Sequence, residues 1–220
     1  GYKTVSRFFP HEACDLEPCL EAAEAEAAAA STETWSTLYC LTLWLGMVLL
    51  TPFDLRSIDS GGCKRLATRV LELGQQGLTS TSRTRDASAW MLAKYFMRPD
   101  VSAEGASVAF YDWTKSVWSP PADGTGAAAP ATSQPTDEAK SPVEAEVPVA
   151  AQSSTSLQEF ARCGSLQAWN QILKAAPRSA LDSVWLRVLE LALQGPSCQA
   201  GADFGGSSLL RKLRVKVACR

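Results

Sequence analysis

The sequence has 220 residues, enough to bury a sizeable hydrophobic core, and its 46% hydrophobic and 20% charged content is ordinary for a globular protein. A formal net charge of −2 excludes a chain that binds nucleic acid through its overall charge. Residues 156–220 nevertheless carry nine basic and four acidic residues. We interpret this basic end as the solvated face of a helical array, with a docking surface as the alternative.

Cysteine and histidine usage limits the chemistry that the chain can perform. Seven cysteines are scattered without a C-x-x-C pair, and His11 is the only histidine. The odd cysteine number and the apolar helical surroundings of several cysteines favour reduced thiols in the cytosol. One imidazole cannot build a Cys–His zinc site, and no catalytic partner for His11 is visible at the helix start where it lies. The sequence therefore predicts no catalytic residue, no metal site and no cofactor.

Helical patterns follow one another through residues 1–118, and no alternation of polar and apolar residues indicates a strand. A first helix is predicted from Pro10 through the Ala- and Glu-rich stretch. A second is predicted from an N-cap at Thr32 to a stop at Pro52. Three further helices are predicted over residues 60–77, 83–100 and 103–118.

The second helix contains no charged residue between Thr34 and Phe53, which raises the alternative of a membrane span. Its dense apolar part is confined to residues 38–50, threonines interrupt it, and acidic residues flank it instead of a basic cluster. A helix that is apolar all round is either a membrane span or fully buried. We therefore predict a helix buried deep in the protein and no membrane span.

The fourth helix has the clearest apolar stripe, with residues at i, i+3, i+4, i+7 and i+8 that we expect in the core: Ala89, Leu92, Ala93, Phe96 and Met97. Charged residues bracket the same helix: Arg83, Arg85, Asp86, Arg98 and Asp100. We interpret these charges chiefly as intramolecular pairs between neighbouring turns. The alternative is a ridge that contacts a partner, which makes the five charged residues candidate partner-binding residues.

Composition changes abruptly at residues 119–155, which hold six of the twelve prolines and no aromatic residue. Such a segment buries too little apolar surface to offset chain entropy, so we predict a disordered insertion. Helical patterns resume over residues 156–220, where helices are predicted at 155–163, 165–176, 180–195 and 207–218. The predicted organisation is therefore helical repeats at 1–118, the insertion, and a continuation of the same repeats.

About eight helices joined by short turns predict an all-α fold, a HEAT/armadillo-like helical-repeat solenoid in which antiparallel helix pairs form a right-handed superhelix. Several helices carry apolar residues on more than one face, as stacked repeats require, because each pair covers its neighbour. No strict repeat period is visible in the sequence. That absence excludes a regular consensus array but not a degenerate one.

Four blocks occur in an order typical of one family: "GYKTVSRFFPHEACDLEPCL", "LWLGMVLLTPFDL", "SRTRDASAWMLAKYFMRPDV" and "LLRKLRVKV". Together they resemble the N-terminal solenoid of the tubulin-folding cofactor D family. The segment 119–155 and the Ala/Glu run at 22–30 do not match that family. Only a fraction of the family's long chain is present, and the sequence starts at Gly1, so we expect a segment of a longer polypeptide.

The resemblance implies a cytoplasmic, microtubule-associated chaperone that captures β-tubulin and assembles α/β-tubulin heterodimers with cofactors E and C. It also implies association with a small Arf-like GTPase, in a complex that stimulates GTP hydrolysis by tubulin. The chain itself would then be a non-catalytic scaffold. A second class stays open, namely a generic HEAT/armadillo scaffold or transport adaptor with a different protein cargo.

Overall fold

The computed structural model describes residues 2–29, 35–119, 149–194 and 208–219, and no strand occurs within these ranges. The α-helices are α1 Tyr2–Val5, α2 Leu16–Ala29, α3 Trp35–Val48, α4 Leu55–Ile58, α5 Leu66–Leu78, α6 Thr84–Tyr95, α7 Pro99–Ala103, α8 Ala106–Trp118, α9 Val149–Ala175, α10 Trp185–Gln194 and α11 Ser208–Ala218. Short 3-10 turns cover Ser6–Phe8, Ala13–Asp15 and Arg178–Ala180. Thr32 and residues 120–148 of the predicted insertion lie outside the described ranges.

The five helices predicted in the first half are present as α2, α3, α5, α6 and α8, each shorter than its sequence pattern. Helix α3 ends at Val48 and not at Pro52, because the chain turns at Leu49 and Leu50. Residues 99–103, predicted to close the fourth helix and open the fifth, form the separate short helix α7, with its proline in the first turn.

The prediction of two short helices at 155–163 and 165–176 is wrong, because a single helix, α9, runs from Val149 to Ala175. Gly164 lies where the break was expected. A β-carbon at this position would overlap the backbone carbonyl of Leu78, so the missing side chain lets α9 approach the end of α5 closely. This packing offsets the roughly 1 kcal/mol that glycine costs within a helix.

The long helices stack as the sequence predicts for a solenoid. Helices α3, α6, α9 and α11 form one row in which each helix contacts the next. Helices α2 and α5 contact each other in a second row and also pack against α3 and α6, respectively. Each helix pair therefore covers an apolar face of its neighbour, which is the packing logic of helical repeats.

An aromatic cluster joins the middle of this stack. The ring of Phe110 on α8 lies 5.5 Å from Phe96, 5.4 Å from Trp113 and 5.0 Å from Trp169 on α9, measured between centroids. The indole N–H of Trp169 donates to the hydroxyl of Thr114 over 3.0 Å, so its one polar group is satisfied within the core. The cluster fixes α8 and α9 relative to the end of α6.

The uncharged helix α3 is buried along one side and not on all sides. Leu43, Leu45 and Val48 are buried, whereas Trp35 at its start is 42% exposed and Leu50 just after its end is 43% exposed. The prediction of burial on all sides is therefore wrong: one side of α3 lies in the core, whereas Cys40 and the start of the helix are exposed. Within the described residues, no helix is long and apolar enough to cross a membrane.

Replacing Leu45 with Asp should lower the free energy of unfolding by more than about 3 kcal/mol, because the side chain is fully buried and a carboxylate there would lose its hydration. The matched control is Cys40→Asp, which introduces the same charge at an exposed position of α3. Urea unfolding followed by circular dichroism measures both variants. Equal stability losses in the two variants would contradict the burial of α3.

Candidate partner-binding surface

The five charged residues predicted from the sequence lie at the two ends of α6. Arg83 precedes its first residue, and Arg85 and Asp86 lie in its first turn. Arg98 and Asp100 lie at the other end, where Arg98 is the N-cap of α7. The structure therefore separates them into two groups, and the two groups have different surroundings.

Arg98 is a buried clamp and not a surface residue, since only 7% of its side chain is exposed. Its guanidinium donates to the backbone carbonyls of Leu49 over 2.7 Å, Thr51 over 3.0 Å, and Phe53. These carbonyls belong to the turn that follows α3, where helix geometry leaves oxygens without intrahelical donors. One side chain thus satisfies three acceptors of a turn far away in sequence.

Asp100 completes the clamp. Its carboxylate accepts hydrogen bonds from Arg98 Nε over 3.0 Å and from the backbone N–H of Leu55 over 2.9 Å, which links α7 to the start of α4. Burial alone raises the pKa of Asp100, but the bonds from Arg98 and Leu55 outweigh it and hold the pKa below its ordinary value. The Arg98–Asp100 pair therefore acts inside the chain, holding residues 49–55 in one conformation.

The clamped turn presents an exposed apolar surface. Leu50 is 43% exposed, Phe53 56% and Met97 38%, and the exposed Pro52 and Pro99 lie beside them. We call these five residues the corner surface. They border an open groove of about 560 Å³ whose lining also includes Lys94 and Asp54.

Sequence reasoning missed the corner surface and assigned Met97 to the core. Helix α6 ends at Tyr95, and after that point the helical stripe no longer continues. Phe96 still turns inward and is buried, whereas Met97 turns outward. The apolar residues Leu50, Pro52 and Phe53 beside a predicted helix end were the available signal, but their exposure depends on the course of the turn.

At the other end of α6, Arg85 and Asp86 face α9. The Arg85 guanidinium lies over the ring of Phe160 at 5.7 Å, while its Nε and Nη1 atoms are buried without a hydrogen-bond partner among the described residues. Asp86 accepts a hydrogen bond from the side-chain amide of Gln167. Arg83 is exposed and lies one turn away from these contacts. A partner contact by these residues stays a prediction, and Arg83 is the member best placed to make one.

Burial determines the protonation of two thiols, Cys19 and Cys163. Burial raises the pKa of the Cys19 thiol to about 12 and also raises the pKa of Cys163, so both thiols stay protonated at neutral pH. His11 is exposed, and its ring nitrogen lies 3.3 Å from the carbonyl oxygen of Phe9. Among the described residues, no three His, Cys, Asp or Glu side chains gather as a metal site would require. The surfaces described above are suited to binding.

Replacing Arg98 with Ala should lower the free energy of unfolding by about 3–5 kcal/mol, since Asp100 would keep a half-buried charge without its partner and three carbonyls would lose their donor. Arg98→Lys should recover only part of this loss, because an ammonium lacks the guanidinium fork. Arg56→Ala is the control, as Arg56 forms an exposed ion pair with Glu104. Urea unfolding compares the three, and an Arg98→Ala loss no larger than that of the control would refute the clamp.

The clamp also predicts a dependence of stability on pH. The pKa of Asp100 is lowered in the folded chain from its ordinary value of 3.8, so its stabilising contribution is complete above about pH 4 and is lost as the pH falls through the folded pKa. Asp100→Asn should therefore destabilise the chain by about 3 kcal/mol at neutral pH and by progressively less below about pH 4. Unfolding titrations at several pH values test this, and a difference that stays constant down to low pH would speak against it.

Comparison with known proteins identifies the family of the fold. Residues 1–117 match the family described as tubulin-specific chaperone D-like, ARM repeat. Tubulin-specific chaperone D of Dictyostelium discoideum is 29% identical over 89 residues, which cover 32% of this chain and 6% of that relative. The chain thus spans a small part of the length of this relative. No solved structure matches the chain.

The match covers all of α1 to α7 and nearly all of α8, including both ends of α6 and the corner surface. It confirms the predicted HEAT/armadillo-like helical-repeat fold and the family resemblance, and it contains the first three of the four sequence blocks. Since more than half of the 220 residues match, the chain belongs to the tubulin-specific chaperone D-like family of ARM-repeat proteins.

Proposed function

We propose that this chain is part of a chaperone that binds β-tubulin and assists the assembly of α/β-tubulin heterodimers. The observation that supports the proposal is the family match over residues 1–117. The name of the relative, tubulin-specific chaperone D, points to the same class of client. A stacked helical array suits this role, because it presents an extended and rigid surface without supplying chemistry.

The remaining partners follow from the same family. We propose that the chaperone acts with tubulin-folding cofactors E and C and with a small Arf-like GTPase, in the cytoplasm and in association with microtubules. GTP hydrolysis would be performed by tubulin and stimulated by the cofactor complex. This chain would then contribute a binding surface and no catalytic group.

The corner surface is our proposed contact with β-tubulin. It lies within the matched residues, and Leu50, Phe53 and Met97 together expose more apolar surface than isolated surface residues usually do. The buried Arg98 holds the turn that carries Leu50 and Phe53, so the surface is ordered before a partner arrives. A preordered surface loses little conformational entropy on binding.

Arg83 is a second proposed contact. It is exposed at the opposite end of α6 from the corner surface. Because Arg85 and Asp86 are engaged with α9, a charge reversal at Arg83 should affect binding alone. Arg85→Glu should instead lower stability, since it would place a carboxylate against the ring of Phe160.

The proposal predicts that the 220-residue chain coelutes with β-tubulin released from the chaperonin. Phe53→Glu with Met97→Glu should weaken this association by about tenfold or more, because it removes the apolar contact and adds charge. The matched control is Val5→Glu with Phe8→Glu, which makes the same changes at exposed apolar residues of the N-terminal turns. Size-exclusion chromatography and sedimentation measure binding, and thermal unfolding confirms that each variant is folded.

Two outcomes would contradict the proposal. The first is that the unmodified chain does not bind β-tubulin and that microtubules stay normal after the protein is depleted. This result would favour a scaffold or transport adaptor with another cargo. Equal binding losses in the corner variant and in its control would leave the client class intact but would refute the corner surface as the contact. Binding of β-tubulin by the Arg83→Glu variant tests the proposed contact at the other end of α6 independently.

A further inference from the structure

The outer face of α11 has a chemical character that the proposed function does not use. From it we infer that α11, together with the cavity beside it, binds an acidic peptide segment of a partner protein that carries one apolar anchor side chain. The inference rests on the last three helices and does not depend on β-tubulin being the client.

Helix α11 carries only positive charges. Its sequence SLLRKLRVKVA holds four basic residues and no acidic one. Leu213 and Val217 are buried against α9 and α10, which fixes the orientation of the helix. The outer face therefore consists of exposed residues: Arg211, Lys212, Val215 and Lys216. We call these four residues the basic face.

The fourth cation of α11 anchors the helix. Arg214 donates from Nε to the carbonyl of Ala192 over 2.7 Å and from Nη2 to the carbonyl of Leu193 over 2.9 Å. These carbonyls end α10, where the helix leaves acceptors without intrahelical donors. The basic face is therefore held on a docked helix and is not a frayed terminus.

The charges of the basic face are not neutralised within the described part of the chain. Arg211, Lys212 and Lys216 form no ion pair there. Three other cations in the described ranges do pair with acidic residues: Arg56 with Glu104, Lys64 with Glu72 and Arg69 with Glu24. Unpaired like charges on one helix leave a local positive potential that attracts an acidic segment.

A mostly apolar cavity adjoins the last turn of α11. It measures about 450 Å³, and its lining includes Leu173, Leu181, Leu189 and Val217 together with one residue of each charge, Arg178 and Asp182. Trp185 also lines it and is 45% exposed. The cavity can hold one leucine or aromatic side chain, which would anchor the acidic segment.

A short acidic peptide fits these features better than a membrane or a nucleic acid does. The apolar side of α11 is used for packing, and Val215 is the one large apolar residue on its outer face, whereas an interfacial helix needs a broad apolar face. The overall charge of −2 opposes a long polyanion. Salt screens charges beyond about 8 Å at physiological ionic strength, so a short segment on the basic face interacts mainly with the charges of that face.

The test uses the 220-residue chain and a fluorescein-labelled polyglutamate peptide with one central leucine, in fluorescence anisotropy titrations. We expect binding that weakens with added salt, and loss of affinity by about tenfold or more in Lys212→Glu with Lys216→Glu. The control is Arg7→Glu with Lys115→Glu, an equal charge change at exposed positions outside α11, which should stay within about twofold. Lys212→Gln with Lys216→Gln should also weaken binding, and this pair replaces the charge reversal if that variant unfolds.

The anchor is tested separately. Replacing the central leucine of the peptide with glutamine should weaken binding to the unmodified chain, and Trp185→Ala should abolish the difference between the two peptides. The inference is wrong if a polyglutamine peptide binds as well as the acidic one, or if the control variant loses as much affinity as the α11 variant. It is also wrong if phosphatidylserine vesicles or single-stranded DNA bind through Lys212 and Lys216 while the acidic peptide does not bind.

Discussion

The close packing of other helices around α6 is the constraint on which the rest of the structure depends. Helices α3, α5 and α9 all contact α6, and α3 and α5 do so at glycines where a side chain would overlap α6. A β-carbon at Gly77 of α5 would overlap the hydroxyl of Ser88 on α6, and one at Gly46 of α3 would lie 2.5 Å from the ring of Trp90. Small residues thus take the place of the larger apolar side chains that a simple amphipathic helix would place there. Because the helices approach so closely, the ends of α6 are fixed in space.

The charged residues at the two ends of α6 make different contacts. At the C-terminal end, the buried Arg98 and its partner Asp100 hold the turn after α3, and that turn carries an exposed apolar surface. At the N-terminal end, Arg85 and Asp86 dock onto α9 and tie the first half of the chain to the second. The charged residues at the ends of α6 therefore mainly form contacts within the chain, while apolar side chains are exposed on the corner surface.

The family assignment is consistent with a protein that acts by binding partners on its surface. The described residues carry stacked helices, protonated buried thiols and two surfaces of different chemistry, one apolar near α6 and one basic on α11. A helical-repeat array keeps such surfaces at fixed separation, since each repeat contacts only its neighbours. Two partners, or two parts of one partner, can then be held together without a domain that moves.

The sequence by itself determined the helical class, the order of the helices in the first half and most of the buried stripe of α6, namely Ala89, Leu92 and Ala93, because apolar periodicity is a local property. Four short blocks also identified the family. Tertiary structure decided the rest. The continuity of α9 through Gly164 depends on a distant carbonyl at Leu78, and the burial of Arg98 depends on carbonyls of residues 49–53. The exposure of Met97 and Trp185 likewise depends on where neighbouring helices end. Such contacts join residues far apart in the chain, and no local pattern of spacing records them.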